Sequence, residues 1–114
     1  MAVTGLIVAS PAQAASKGLI GVAMPTQSST RWISDGNSVK AALVKDGFTV
    51  DLQYAEDDIP TQVSQLEAML TKGAKALIIA SIDGEQLTDV LAKAKSKNSN
   101  YKLAKGQNLK KYEC

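Results

Sequence analysis

The sequence predicts an α/β fold: a three-stranded parallel sheet of order 2-1-3 with flanking helices. Three observations carry this expectation. Apolar runs alternate with helix-period segments, at the spacing of repeated βα units. The first and third runs are apolar throughout, as strands buried on both faces are, whereas the second alternates, as an edge strand does. Right-handed crossovers join such units, and the uninterrupted apolar character of the first strand suits the central place.

The first run is Leu19-Ile20-Gly21-Val22-Ala23-Met24. A helix follows, read from Ile33, Gly36, Val39, Leu43 and Asp46 recurring three or four residues apart. Ser29 or Thr30 suits its N-cap. The second run is Thr49-Val50-Asp51-Leu52-Gln53-Tyr54. The second helix carries Ile59, Val63, Leu66 and Leu70 on one stripe. Pro60 fits its first turn, and Asp57 and Asp58 place negative charge at its N-terminus. The third run is Ala76-Leu77-Ile78-Ile79-Ala80, and Leu87, Val90, Leu91 and Ala94 mark the third helix. Gly47 and Gly73 follow the first two helices as left-handed caps, with Lys45 and Lys72 beside them matching the dipole.

Composition narrows the chemistry. The chain has 114 residues, 45% of them hydrophobic, a net charge of +2, no His and one Cys. Without His the commonest general base and zinc ligand is missing. One Cys forms no internal disulfide, and terminal Cys114 has no catalytic surroundings. The charge provides no basic footprint for nucleic acid. There is no GxGxxG, GxxxxGK[ST] or GxSxG. The expectation is a protein that is not an enzyme, needs no cofactor or metal and binds no nucleic acid.

Residues 1–14 carry no charged side chain and end in Ala12-Gln13-Ala14, a small-x-small site of the kind signal peptidase cuts. They are expected to be the remnant of a secretory signal peptide; an apolar strand is the alternative. Residues 99–114 hold Lys102, Lys105, Lys110 and Lys111 against Glu113 and read as a solvated basic tail. The expected division is therefore 1–14, 15–98 and 99–114.

In parallel sheets ligands bind beyond the carboxyl ends of the strands. The loop after the first strand, Pro25 to Trp32, contains the chain's only Arg and only Trp, side by side as Arg31-Trp32. An indole face stacks on the C–H face of a sugar ring, and a guanidinium donates several hydrogen bonds to its hydroxyls. A core Trp32 beside a solvated Arg31 is the alternative. Glu56, Asp57 and Asp58 after the second strand suit a cation, sugar hydroxyls or simple capping. Asp83 after the third suits a sugar hydroxyl or a helix cap.

Val22-Ala23-Met24-Pro25-Thr26, Arg31-Trp32, Asp35-Gly36, Asp51-Leu52-Gln53-Tyr54-Ala55, Asp57-Asp58-Ile59-Pro60, Gln62, Gln65, Lys72-Gly73 and Ala80-Ser81-Ile82-Asp83-Gly84 together resemble the start of a multiple-sugar-binding or xylose-binding periplasmic receptor. This is the type I solute-binding family of bacterial ABC importers. The resemblance runs from about Lys17 to Asn98. It implies part of the first lobe of a periplasmic-binding-protein-like fold, located in the periplasm. The implied ligand is an aldose such as xylose, glucose, galactose or arabinose. The implied partners are the importer's membrane permease and, as in related receptors, a chemoreceptor or sensor kinase. It also assigns sugar contact to Arg31 and Trp32, then to Gln27 in the same loop and to Asp83.

The family continues after its third helix into a fourth strand ending in an Asp-Arg pair. Here Ser99 to Gly106 contain no Asp, no Arg and no sustained apolar run. The expectation is a truncated, weakly binding lobe whose third strand has an open edge and favours association. The competing resemblance is to the effector domain of sugar-responsive repressors, which carry a helix-turn-helix where this chain has its apolar N-terminal segment.

Overall fold

The computed structural model describes residues 15–97 and 99–103. The segments 1–14 and 104–114, which hold the expected leader and most of the basic tail, lie outside them. Four strands and three helices alternate: β1 (Leu19–Met24), α1 (Thr30–Lys45), β2 (Thr49–Tyr54), α2 (Ile59–Thr71), β3 (Ala76–Ile79), α3 (Thr88–Ser96) and β4 (Asn100–Leu103). A 3-10 turn, Glu85–Leu87, leads into α3. The strands form one parallel sheet of order β2-β1-β3-β4, with Val22 opposite both Leu52 and Ile78.

Strand alternation sorts the core into two layers. Ala23, Leu77 and Ile79 face α2 and α3, where they pack with Leu66, Met69, Leu87, Val90 and Leu91. Ile20, Val22 and Met24 face α1 and gather Trp32, Val39, Leu43, Leu52, Tyr54 and Ile78. Leu66, Met69, Leu77, Ile79 and Leu87 are fully buried. Each contributes roughly 1.5–3 kcal/mol relative to exposure.

The expected boundary chemistry is largely present. Asp58 caps α2, accepting from the Thr61 amide at 2.9 Å, and Pro60 sits in the first turn. Gly47 and Gly73 have φ of +99° and +89°. Ser29 occupies the N-cap position of α1 but makes no side-chain cap bond.

Two expectations change. The sheet has four strands, not three. The Asn100 amide donates to Lys75 O at 3.0 Å, the Ser99 hydroxyl donates to Ala74 O at 2.8 Å, and β4 pairs with β3. Tyr101 is buried against the α2–α3 layer while Lys102 is exposed. A half-buried strand needs alternation, not an apolar run, and β3's ladder groups need partners. The edge expected to be open at β3 is therefore closed, and the sheet's edges are β2 and β4. The second change is in α1. Ile33 lies outward at 38% exposure, whereas Trp32 packs inward with Val39 and Leu43. The buried stripe keeps Gly36, Val39 and Leu43 as expected, but begins at Trp32 rather than Ile33.

Candidate functional site

The loops at the carboxyl ends of β1 and β2 are tied to each other. The Asp57 amide donates to Pro25 O at 2.8 Å, and the Thr26 hydroxyl reaches Glu56 Oε2 at 3.5 Å. Glu56 and Asp57 both adopt positive φ, 52° and 59°. That conformation is costly for residues with a Cβ and persists because these bonds fix it. The loop after β3 is held from α2. Gln62 is fully buried; its Nε2 donates to Ala80 O at 3.1 Å and its Oε1 accepts from the Ile82 amide at 2.9 Å.

Arg31 and Trp32 are brought together in the first turn of α1. The guanidinium carbon lies 4.8 Å from the indole ring centre, within cation–π range. Arg31 Nε also lies 3.5 Å from Asp35 Oδ2, and both side chains are well exposed. Trp32 is half-buried: part of its ring packs on the α1-side core, the rest on a cavity of about 340 Å³. Met24, Val39, Ile78 and Ala80 form the apolar wall, with Arg31, Asp35, Ser38 and Lys102 as polar lining. An apolar wall with a few polar groups is the usual composition of a small-molecule site. Trp32 thus anchors α1 on the core while part of its ring lines the cavity.

Gln27 and Asp83 do not line this cavity. Gln27 is exposed in the β1–α1 loop. Asp83 accepts from the Glu85 amide at 3.0 Å, a local turn bond; it caps neither the 3-10 turn nor α3, whose N-cap positions are Gly84 and Leu87. The Glu56 and Asp58 carboxylates are used in loop and cap bonds, and Asp57 is tied into the loop through its amide. Among the described residues no three acidic, His or Cys groups converge to hold a metal ion.

A larger hollow, about 460 Å³, lies between edge strand β2 and α2. It has no aromatic wall. Lys72 Nζ pairs with Asp51 Oδ2 at 3.0 Å, and Gln53 donates to Asp51 Oδ1 at 2.8 Å. Burial pushes the Asp51 carboxyl up, but Gln53 and Lys72 outweigh it and hold it below the usual range. Asp51, Gln53 and Lys72 are engaged with one another, while Gln65 Oε1 is buried without a hydrogen-bond partner among the described residues. The cavity beside Trp32, with an indole in its lining, is the better candidate for a ring-shaped ligand.

Residue types alone did not assign Gln62 a role. Its signal was a polar residue at a buried position of a helix, next to Val63 and Leu66, which demands hydrogen-bond partners.

Comparison with known proteins agrees with the fold. Residues 20–100 match the periplasmic binding protein domain. The chain is 58% identical over 84 residues to a multiple sugar-binding periplasmic receptor of Rhizobium radiobacter, covering 74% of this chain and 24% of the relative. It is 51% identical over 100 residues to a multiple sugar-binding periplasmic protein of Azospirillum brasilense, covering 85% and 28%. An ABC transporter solute-binding protein of Clostridium phytofermentans, solved with β-D-glucose bound, superposes with a TM-score of 0.73 at 46% identity. That match covers 79% of this chain and 29% of the solved one. The chain therefore spans about a quarter of the length of the curated relatives it matches.

Proposed function

The chain belongs to the periplasmic binding protein domain family, and on that premise we propose that it forms part of a monosaccharide-capturing receptor of an ABC importer. The observation that carries the reading is the Arg31 guanidinium over the Trp32 ring beside an apolar-walled cavity. The exposed part of the indole stacks on the sugar's C–H face while Arg31 donates to its hydroxyls. Binding requires no covalent step and no cofactor. Gln27 and Asp83, on the loops after β1 and β3, are secondary contacts in this proposal. Residues 1–14 act as a secretory leader, 15–98 form the sugar lobe, and 99–114 add a basic segment whose first residues supply β4. The periplasm is the proposed location and the permease the proposed partner; a chemoreceptor or sensor kinase is a further one. Mass spectrometry of a periplasmic extract checks the leader by finding Ala15 as the mature N-terminus.

In this family's receptors two lobes close around the ligand. A complete receptor with micromolar affinity has about −8 kcal/mol of binding free energy. A chain presenting one partial lobe is expected to bind in the millimolar range. Trp32 is the only Trp, so its emission reports the site directly. Titration with xylose, glucose, galactose and arabinose is expected to shift that emission at millimolar sugar. No shift with any of the four overturns the sugar reading; a micromolar calorimetric signal overturns the weak-binding part.

A further inference from the structure

The helices run back from the strand tips, so their C-terminal turns gather at the end of the sheet opposite Arg31 and Trp32. That end carries Lys45 in the last turn of α1, Lys72 at the C-cap of α2 and Lys97 at the C-cap of α3. Lys17 and Lys75 lead into β1 and β3 there. All five are exposed. Backbone bonds lock their segments together: the Lys17 amide donates to Gly47 O at 3.0 Å and the Lys75 amide to Leu19 O at 2.8 Å.

The carboxylates at this end are Asp46 and Asp51, and Asp51 is taken by Lys72. Among the described residues, Lys17, Lys45, Lys75 and Lys97 have no carboxylate partner. The Lys75 ammonium donates to Lys17 O at 3.0 Å, and Lys17 Nζ lies 5.8 Å from the Phe48 ring centre. Neither contact neutralises charge. Each helix C-terminus adds about half a negative charge, so three of them do not cancel five ammoniums against two carboxylates. At the opposite end Glu56, Asp57, Asp58, Asp83 and Glu85 stand against Arg31 and Lys102. The molecule is polarised along its strands, basic at the base and acidic at the ligand end.

We propose that this base docks on an anionic phospholipid bilayer. The lysines sit on both faces of the sheet, Lys45 on the α1 side and Lys72 and Lys97 on the other. They do not belong to one pocket, which suits an extended surface better than a single phosphate. The groups offered to the lipid are lysine ammoniums, so the contact is electrostatic and peripheral. Docking leaves the Trp32 cavity facing away from the lipid, and it does not depend on the sugar reading.

Cosedimentation of the 114-residue chain with phosphatidylcholine vesicles, with and without phosphatidylglycerol, tests this. Binding is expected only with phosphatidylglycerol, and it is lost between about 0.02 M and about 0.5 M salt as screening shortens. Each neutralised lysine lowers the partition about fivefold. The variant K17Q/K45Q/K75Q/K97Q is expected to lose binding. The double variant K45Q/K97Q, which removes no intramolecular contact seen among the described residues, is expected to lose about twenty-fivefold and separates charge loss from misfolding. The variant K105Q/K110Q/K111Q is expected to keep binding. Equal binding to phosphatidylcholine overturns the proposal, as does full binding by the double variant. Loss of binding in the tail variant alone assigns the lipid contact to the tail instead.

Discussion

Gln62 places both ends of its amide on the backbone of the loop after β3, inside an otherwise apolar layer. Gln62→Ala leaves a carbonyl and an amide unpaired and opens a cavity. The expected cost is about 2–4 kcal/mol in urea unfolding. Arg31 is the contrasting case. Its pairing with Asp35 is exposed, so Arg31→Ala is expected to change stability by less than about 1 kcal/mol. Under the sugar reading the same change weakens the Trp32 emission response. The pair was legible because each residue occurs once in the chain and their chemistry suits one ligand class. Gln62 was not, because its function lies in contacts with backbone groups that only the folded chain brings near. Two carboxylates also set the acid limit. Thr61 donors hold Asp58 below its ordinary value of 3.8, and Asp51 is lowered against its own burial. Their contribution is complete above that value and disappears as pH falls through the lowered one. The thermal midpoint is expected to be flat near neutrality and to fall below about pH 4, less steeply in Asp58→Asn.

At the scale of elements, α1 approaches β2 through Gly36, where an added Cβ would lie 2.5 Å from the Tyr54 hydroxyl oxygen. Gly36→Ala is expected to destabilise by roughly 1–3 kcal/mol. Tyr54→Phe in the same chain removes that oxygen and recovers part of the loss, which a double-mutant cycle by denaturant measures. Gly36, Val39 and Leu43 of the expected α1 stripe face inward, and its N-terminal member differs because Ile33 is the more conventional core residue. The structure buries Trp32 instead, since a large ring both reaches the sheet and leaves a face outside. β4 was invisible for a different reason. Its recognisable feature is one buried Tyr101 between polar neighbours, and the stabilising groups are β3's unpaired backbone atoms, which leave no pattern in side chains. Tyr101→Ala is expected to detach β4 and lower stability by about 3 kcal/mol.

At the scale of the molecule, three βα units were readable because a buried parallel strand requires a continuous apolar run. The polarity between the two ends was not, since lysines and carboxylates intermingle along the sequence and separate only when each helix turns back on its strand. One face also remains partly open. α2 and α3 cover one side of the sheet, while α1 packs mainly on β1 and β2. This leaves Ile78 and Lys102 lining the cavity beside Trp32.

The order in which strands join the sheet bears on how the chain is made. After β2 takes one flank of β1, each later strand adds to the outermost rung on the other flank, β3 on β1 and β4 on β3. No gap is left for a later segment to thread between earlier ones. A polypeptide that appears amino end first, as on emerging from a membrane pore, can thus assemble this layer in chain order, without waiting for residues still to arrive.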